Sequence, residues 1–150
     1  LLSTACRIGG LTGGLERHTV DQLTTFGHTY GMAFQIVDDI LDVIASEDQL
    51  GKPAGNDLIE GVYTLPVLLA LESDVGEQLH ELLGKELSTD ERDRALSLIR
   101  STGAVEEAFT RAQFWAQKAK LELESLPSSP ATNALSAATN HLLDRAQSAS

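Results

Sequence analysis

Residues 31–42 read Gly31-Met32-Ala33-Phe34-Gln35-Ile36-Val37-Asp38-Asp39-Ile40-Leu41-Asp42, three carboxylates and one amide inside an otherwise apolar run. On a helix, at about 100° per residue, Asp38, Asp39 and Asp42 fall within an arc of roughly 100°, with Gln35, Gly31 and His28 on the same strip. Two carboxylates about 6 Å apart repel by roughly 3 kcal/mol at an effective dielectric of about 20, and a third adds to the cost. Arginines from elsewhere, protonation of one acid, or hard divalent cations would offset that repulsion. Mg²⁺ takes one or two carboxylates together with phosphate oxygens, so the last of these turns an acidic stripe into a diphosphate receptor.

A solvated acidic face is the ordinary explanation of an arbitrary Asp-Asp-x-x-Asp. Two features weigh against it here. The flanking positions from Phe26 to Ile44 are almost all apolar, which predicts a helix buried nearly all round with one polar stripe. Downstream come Leu50-Gly51-Lys52-Pro53-Ala54-Gly55-Asn56-Asp57 and Gly61-Val62-Tyr63-Thr64-Leu65-Pro66, whose Gly, Pro and Asn content marks an ordered, ligand-type loop.

The elements that must position these residues are helical. Apolar residues recur three and four apart, and β-branched residues do not alternate with polar ones. The pattern predicts a short helix over residues 1–10, broken by Gly9, Gly10, Gly13 and Gly14, then a long helix over residues 18–46. A loop spans residues 47–61, and helices follow over residues 64–71 and 75–83. Ser88-Thr89-Asp90-Glu91 is a capping box opening the next helix, which should stop at Thr102-Gly103 with the glycine in a left-handed cap. Helices over residues 105–126 and 131–146 flank a break at Pro127–Pro130. The fold class is all-α, a helical bundle, with one domain over residues 1–150.

Composition narrows the function. The chain has 150 residues, 42% of them hydrophobic, and a formal charge of −11. That charge repels nucleic-acid phosphates and anionic lipid surfaces, so no nucleic-acid partner is expected. It repels a free diphosphate too, which again calls for a divalent cation. Cys6 is the single cysteine, excluding an internal disulfide and a thiolate zinc cluster and fitting a reducing, cytoplasmic setting. The longest clean apolar run, residues 65–71, is far short of the roughly 20 residues of a membrane helix. With no initiator Met, the chain is expected to begin inside a longer protein.

The succession G-x-x-F-Q-x-x-D-D-x-x-D, G-K-x-x-G-x-D and G-x-x-T-L-P resembles the C-terminal half of the trans-isoprenyl diphosphate synthases, the polyprenyl synthase family. The motif match runs from about Leu1 to Leu71; beyond it only a helical pattern continues. The resemblance implies an all-α prenyltransferase joining an allylic diphosphate to isopentenyl diphosphate by Mg²⁺-assisted ionisation, and a homodimer. It makes Asp38 the direct Mg²⁺ ligand of the second aspartate-rich motif, with Asp39 and Asp42 holding the metal's water shell. Lys52 would contact the allylic diphosphate, and Phe34 and Gln35 would face the carbocation and isopentenyl end. Asp57 would support the metal waters, and Cys6, Gly9 and Gly10 would border the hydrocarbon tunnel.

There are departures. Val62 stands where the family often has a second lysine, and the Lys-Thr pair usually found ahead of Leu1-Leu2-Ser3-Thr4 is absent, as is the half bearing the first aspartate-rich motif. Half of such a clamp should not ionise its substrate, so the isolated chain is expected to be inactive. The rivals are a non-catalytic partner subunit, a class I terpene cyclase, against which Asp38-Asp39-x-x-Asp42 with Gln35 speaks, and a plain helical interaction module. His28 is unassigned, His18, His80 and His141 read as surface residues, and Trp115 with Phe109 and Phe114 is placed in the C-terminal core or a subunit contact.

Overall fold

The computed structural model describes residues 1–45 and 54–149, and every regular element among them is an α-helix. In chain order these are α1 (Leu2–Thr12), α2 (Arg17–Ile44), α3 (Asn56–Ile59), α4 (Leu65–Leu71), α5 (Gly76–Leu82), α6 (Thr89–Arg100), α7 (Ala104–Glu124) and α8 (Pro130–Ala149). The all-α expectation is met. Packing divides the chain into two compact units: Leu1–Gln35 with Arg111–Arg145, and Ile36–Thr110 with the residues from Ala146 onward.

In the first unit α1 lies directly on the N-terminal part of α2. A Cβ on Gly27 would stand 2.6 Å from the Leu2 carbonyl oxygen and 2.8 Å from the Ser3 Cα, so only glycine permits this approach. Gly10 has the same use from the other helix, its Cβ position lying 3.2 Å from the Val20 side chain. α1 therefore continues through Gly9 and Gly10, where a break is predicted from the sequence, and stops at Gly13. Close packing offsets the roughly 1 kcal/mol that a helical glycine costs. Ser3 Oγ donates to the Thr24 carbonyl at 3.0 Å, and Arg7 pairs with Asp21 at 3.0 Å. The Arg7 hydrogen bond holds the Asp21 carboxyl below the usual carboxylate range. Phe26, Ala119 and Leu123 form one core cluster of this unit, with Cys6, Tyr30, Leu126 and Leu135 against it. Burial pushes both the Cys6 thiol and the Tyr30 phenol up.

The second unit is built around Val43, Leu58, Val67, Ala70, Leu79, Leu96 and Ile99. Leu79 and Ile99 are fully buried, each contributing about 1.5–3 kcal/mol of apolar transfer energy. The capping box on α6 forms as predicted: Glu91 accepts the Ser88 N–H at 3.0 Å, and Ser88 Oγ accepts the Glu91 N–H at 3.4 Å. Its other end differs, because Gly103 does not take a positive φ. Ser101 closes α6, and Thr102 Oγ1 accepts the Ala104 N–H at 3.1 Å, so the chain turns straight into α7. Along α7, Ala104 and Ala108 are buried in this unit, and Ala112, Ala116 and Ala119 are buried in the first.

Candidate functional site

The acidic end of α2 belongs to the second unit, and its three aspartates do not share one environment. Asp38 is exposed, whereas Asp39 and Asp42 retain only 8% and 5% of their surface. Asp42 is covered because the start of α3 folds onto it. Its Oδ1 accepts the Asn56 N–H at 3.3 Å and its Oδ2 the Asp57 N–H at 3.1 Å. The Asp42 carbonyl accepts the Gly55 N–H at 2.8 Å. Gly55 itself sits at φ +75°, and a Cβ there would come within 3.0 Å of Leu96, so glycine is required twice over. One residue on, the Val43 carbonyl accepts from Arg100 Nε at 2.7 Å, a cation on the last turn of α2 where the helix dipole favours one.

Phe34 and Gln35 belong to the first unit. Both are exposed, Phe34 by 39%, and with Leu2, Gly31, Met32 and His28 they line an open cavity of about 470 Å³. The expectation of a helix buried nearly all round with one polar stripe is met over residues 36–45, where Asp38 is the exposed position, and not over residues 26–35. There His28, Met32, Phe34 and Gln35 are exposed. Cys6, Gly9 and Gly10 line a second, largely apolar cavity of about 710 Å³ with Leu23, Leu126 and Leu135. Phe114 is 54% exposed rather than in a core, its ring carrying the Lys118 ammonium 4.6 Å from its centroid, and Trp115 meets the His28 ring edge-on at 6.1 Å. His18, His80 and His141 are at the surface, as predicted. Lys52 lies outside the described residues, and Val62 is 49% exposed.

The donor chemistry at the end of α2 suits a hard cation, since carboxylate oxygens are what Mg²⁺ and Ca²⁺ take. Among the described residues no three His, Cys, Asp or Glu side chains converge to hold a metal by themselves. Of the three aspartates, Asp38 is the one whose carboxylate is open to such a cation. Sequence reasoning missed α3, placed inside a loop from residue 47 to 61. Its signals were there: Asn56 and Asp57 are good first-turn residues, and Gly61 stops the helix at φ +74°. Arg100 carried no such signal, being 57 positions from its acceptor.

The all-α architecture is shared with solved isoprenyl diphosphate synthases. The structure superimposes on heptaprenyl diphosphate synthase from Staphylococcus aureus with a TM-score of 0.87 and 30% identity, covering 96% of this chain and 46% of that one. A geranylgeranyl pyrophosphate synthase from Corynebacterium glutamicum, complexed with calcium and isoprenyl diphosphate, matches with a TM-score of 0.85 and 36% identity, over 96% and 46% of the two chains. Component 2 of the heptaprenyl diphosphate synthase of Geobacillus stearothermophilus is 39% identical over 135 residues, 90% of this chain and 42% of that protein. Nonaprenyl diphosphate synthase of Mycobacterium tuberculosis is 36% identical over 97% of this chain and 44% of its own length. The sequence profile of the polyprenyl synthetase family matches residues 1–99, and the chain belongs to that family. It spans less than half the length of these relatives.

Proposed function

We propose that this chain carries the second metal-diphosphate motif of a prenyltransferase that joins an allylic diphosphate to isopentenyl diphosphate. The observation that carries the reading is the family match over residues 1–99, which includes Asp38-Asp39-x-x-Asp42 on a helix that leaves Asp38 open to solvent. Bound Mg²⁺ would neutralise the allylic diphosphate and stabilise the charge that grows on it as the C–O bond ionises. Asp38 would ligate the ion directly, while Asp39 and Asp42 would orient its waters. Lys52 would add a point charge on the departing diphosphate. The Gln35 amide oxygen and the Phe34 ring face would stand toward the carbocation, both presenting negative electrostatic potential to it. The open cavity beside Cys6, Gly9 and Gly10 would accept hydrocarbon.

The first aspartate-rich motif, the isopentenyl diphosphate arginines and the chain-length determinants would come from the part of the relatives that this chain does not span. The chain alone is therefore inactive in this reading, and the assembled enzyme would be a cytoplasmic homodimer. Incubation of the chain with labelled isopentenyl diphosphate, an allylic primer and Mg²⁺ should give no product, and clear elongation would overturn the division of the site. Binding of inorganic pyrophosphate to the chain should require Mg²⁺.

A second reading of the assembly is favoured by the names of two relatives, both component 2 of a heptaprenyl diphosphate synthase. Pairing with an unlike subunit would then replace the homodimer. Native mass spectrometry of the parent protein from its own cells separates the two, since one gives a single subunit mass and the other gives two.

A further inference from the structure

Three consecutive backbone amides, those of Gly55, Asn56 and Asp57, all donate to one residue. They reach the Asp42 carbonyl at 2.8 Å, its Oδ1 at 3.3 Å and its Oδ2 at 3.1 Å. Gly55 is left-handed and Asn56 opens α3, so the three N–H groups form a concave anion-binding turn. Turns of this form take phosphates or carboxylates from ligands; here two of the three amides meet the chain's own Asp42 carboxylate and the third meets the Asp42 main-chain carbonyl. Asp42 is 5% exposed there, so water competes little with these hydrogen bonds.

We propose that Asp42 is a positioning residue, whose carboxylate seats the Asn56–Asp57 turn on the last turns of α2 and so fixes where Asp57 stands relative to Asp38 and Asp39. The consequence for diphosphate binding rests on the function proposed above; the clamp itself does not. It divides the labour within Asp38-Asp39-x-x-Asp42: the exposed first aspartate faces ligand, and the buried last one holds the returning chain in register.

The test is amide hydrogen exchange on the 150-residue chain, without substrate. Asp42→Ala should speed exchange at Asn56 and Asp57 by about 10- to 100-fold. The Gly55 amide, which donates to main chain, should change less, and the amides of Leu79 and Ile99 should report that the core is intact. Asp42→Asn keeps one carbonyl acceptor and should fall between wild type and Ala, which also covers the case of an Ala variant that does not fold. Asp38→Ala should leave all these amides unchanged. Unaltered exchange at Asn56 and Asp57 in both Asp42 variants, or equal acceleration in Asp38→Ala, would overturn the proposal.

Pyrophosphate binding with Mg²⁺ gives the readout that a merely structural role would not move. Asp42→Asn should recover most of the affinity lost in Asp42→Ala, whereas equal loss would assign Asp42 to metal charge rather than position. A wild-type chain that binds no pyrophosphate would count against the function proposed above, while the exchange rates would still decide the clamp.

Discussion

Arg100 Nε donates a 2.7 Å hydrogen bond to the carbonyl of Val43, tying the end of α6 to the last turn of α2 one residue beyond Asp42. A charged donor on a helix C-terminal carbonyl complements the helix dipole. Arg100→Ala should lower the unfolding free energy by about 1–2 kcal/mol. Chemical denaturation gives the number, and Arg100→Lys should restore only part of it, because an ammonium lacks the fixed Nε geometry.

Gly27 separates packing from chemistry in the first unit. With a Cβ position 2.6 Å from the Leu2 carbonyl oxygen, Gly27→Ala must push α1 away from α2. A loss of about 1–3 kcal/mol is expected. Gly9→Ala, where no atom lies within 4 Å, should be neutral or slightly stabilising through helix propensity. Melting temperatures of the two variants against wild type provide the comparison.

Asp38 is exposed, so its replacement should separate ligand binding from folding. Asp38→Ala should leave stability within about 0.5 kcal/mol of wild type. Mg²⁺-dependent pyrophosphate binding should weaken by at least about tenfold, the equivalent of one lost charge-assisted contact. Titration calorimetry and thermal unfolding of one preparation report both, and unchanged affinity would remove Asp38 from the metal shell.

Glu91 sets the acid limit of α6. The Lys85 ammonium at 2.6 Å, followed by the Ser88 amide and hydroxyl, lowers its carboxyl from 4.5 to about 2. A group whose folded pKa is depressed contributes stability above its unfolded pKa and loses it as pH falls through the folded one. The helix start should therefore hold above about pH 4.5 and loosen toward pH 2. Carboxyl carbon NMR of Glu91 should titrate at the lower value, and Glu91→Gln should flatten the stability profile across that window.

Much of this molecule is written locally. The three-and-four spacing of apolar residues defines the long helix through Asp42, and Ser88 and Glu91 announce the start of α6, because period and capping involve residues within a turn of one another. The motifs around Phe34, Gln35, Asp38, Asp39 and Asp42 sufficed to name the family. Tertiary structure decided what covers each residue. Asp38 and Asp42 lie about 40° apart on the helix, yet one is open and the other closed, because a turn fourteen residues downstream lands on only one of them. Gly10 reads as a helix breaker and is a packing contact, since the side chain of Val20 needs the space a Cβ would take. Gly103 reads as a left-handed cap and is not, since Thr102 already serves the next helix. A helical period specifies which side chains share a face; only the arrival of another segment determines which face is buried and which carboxylate is left for a ligand.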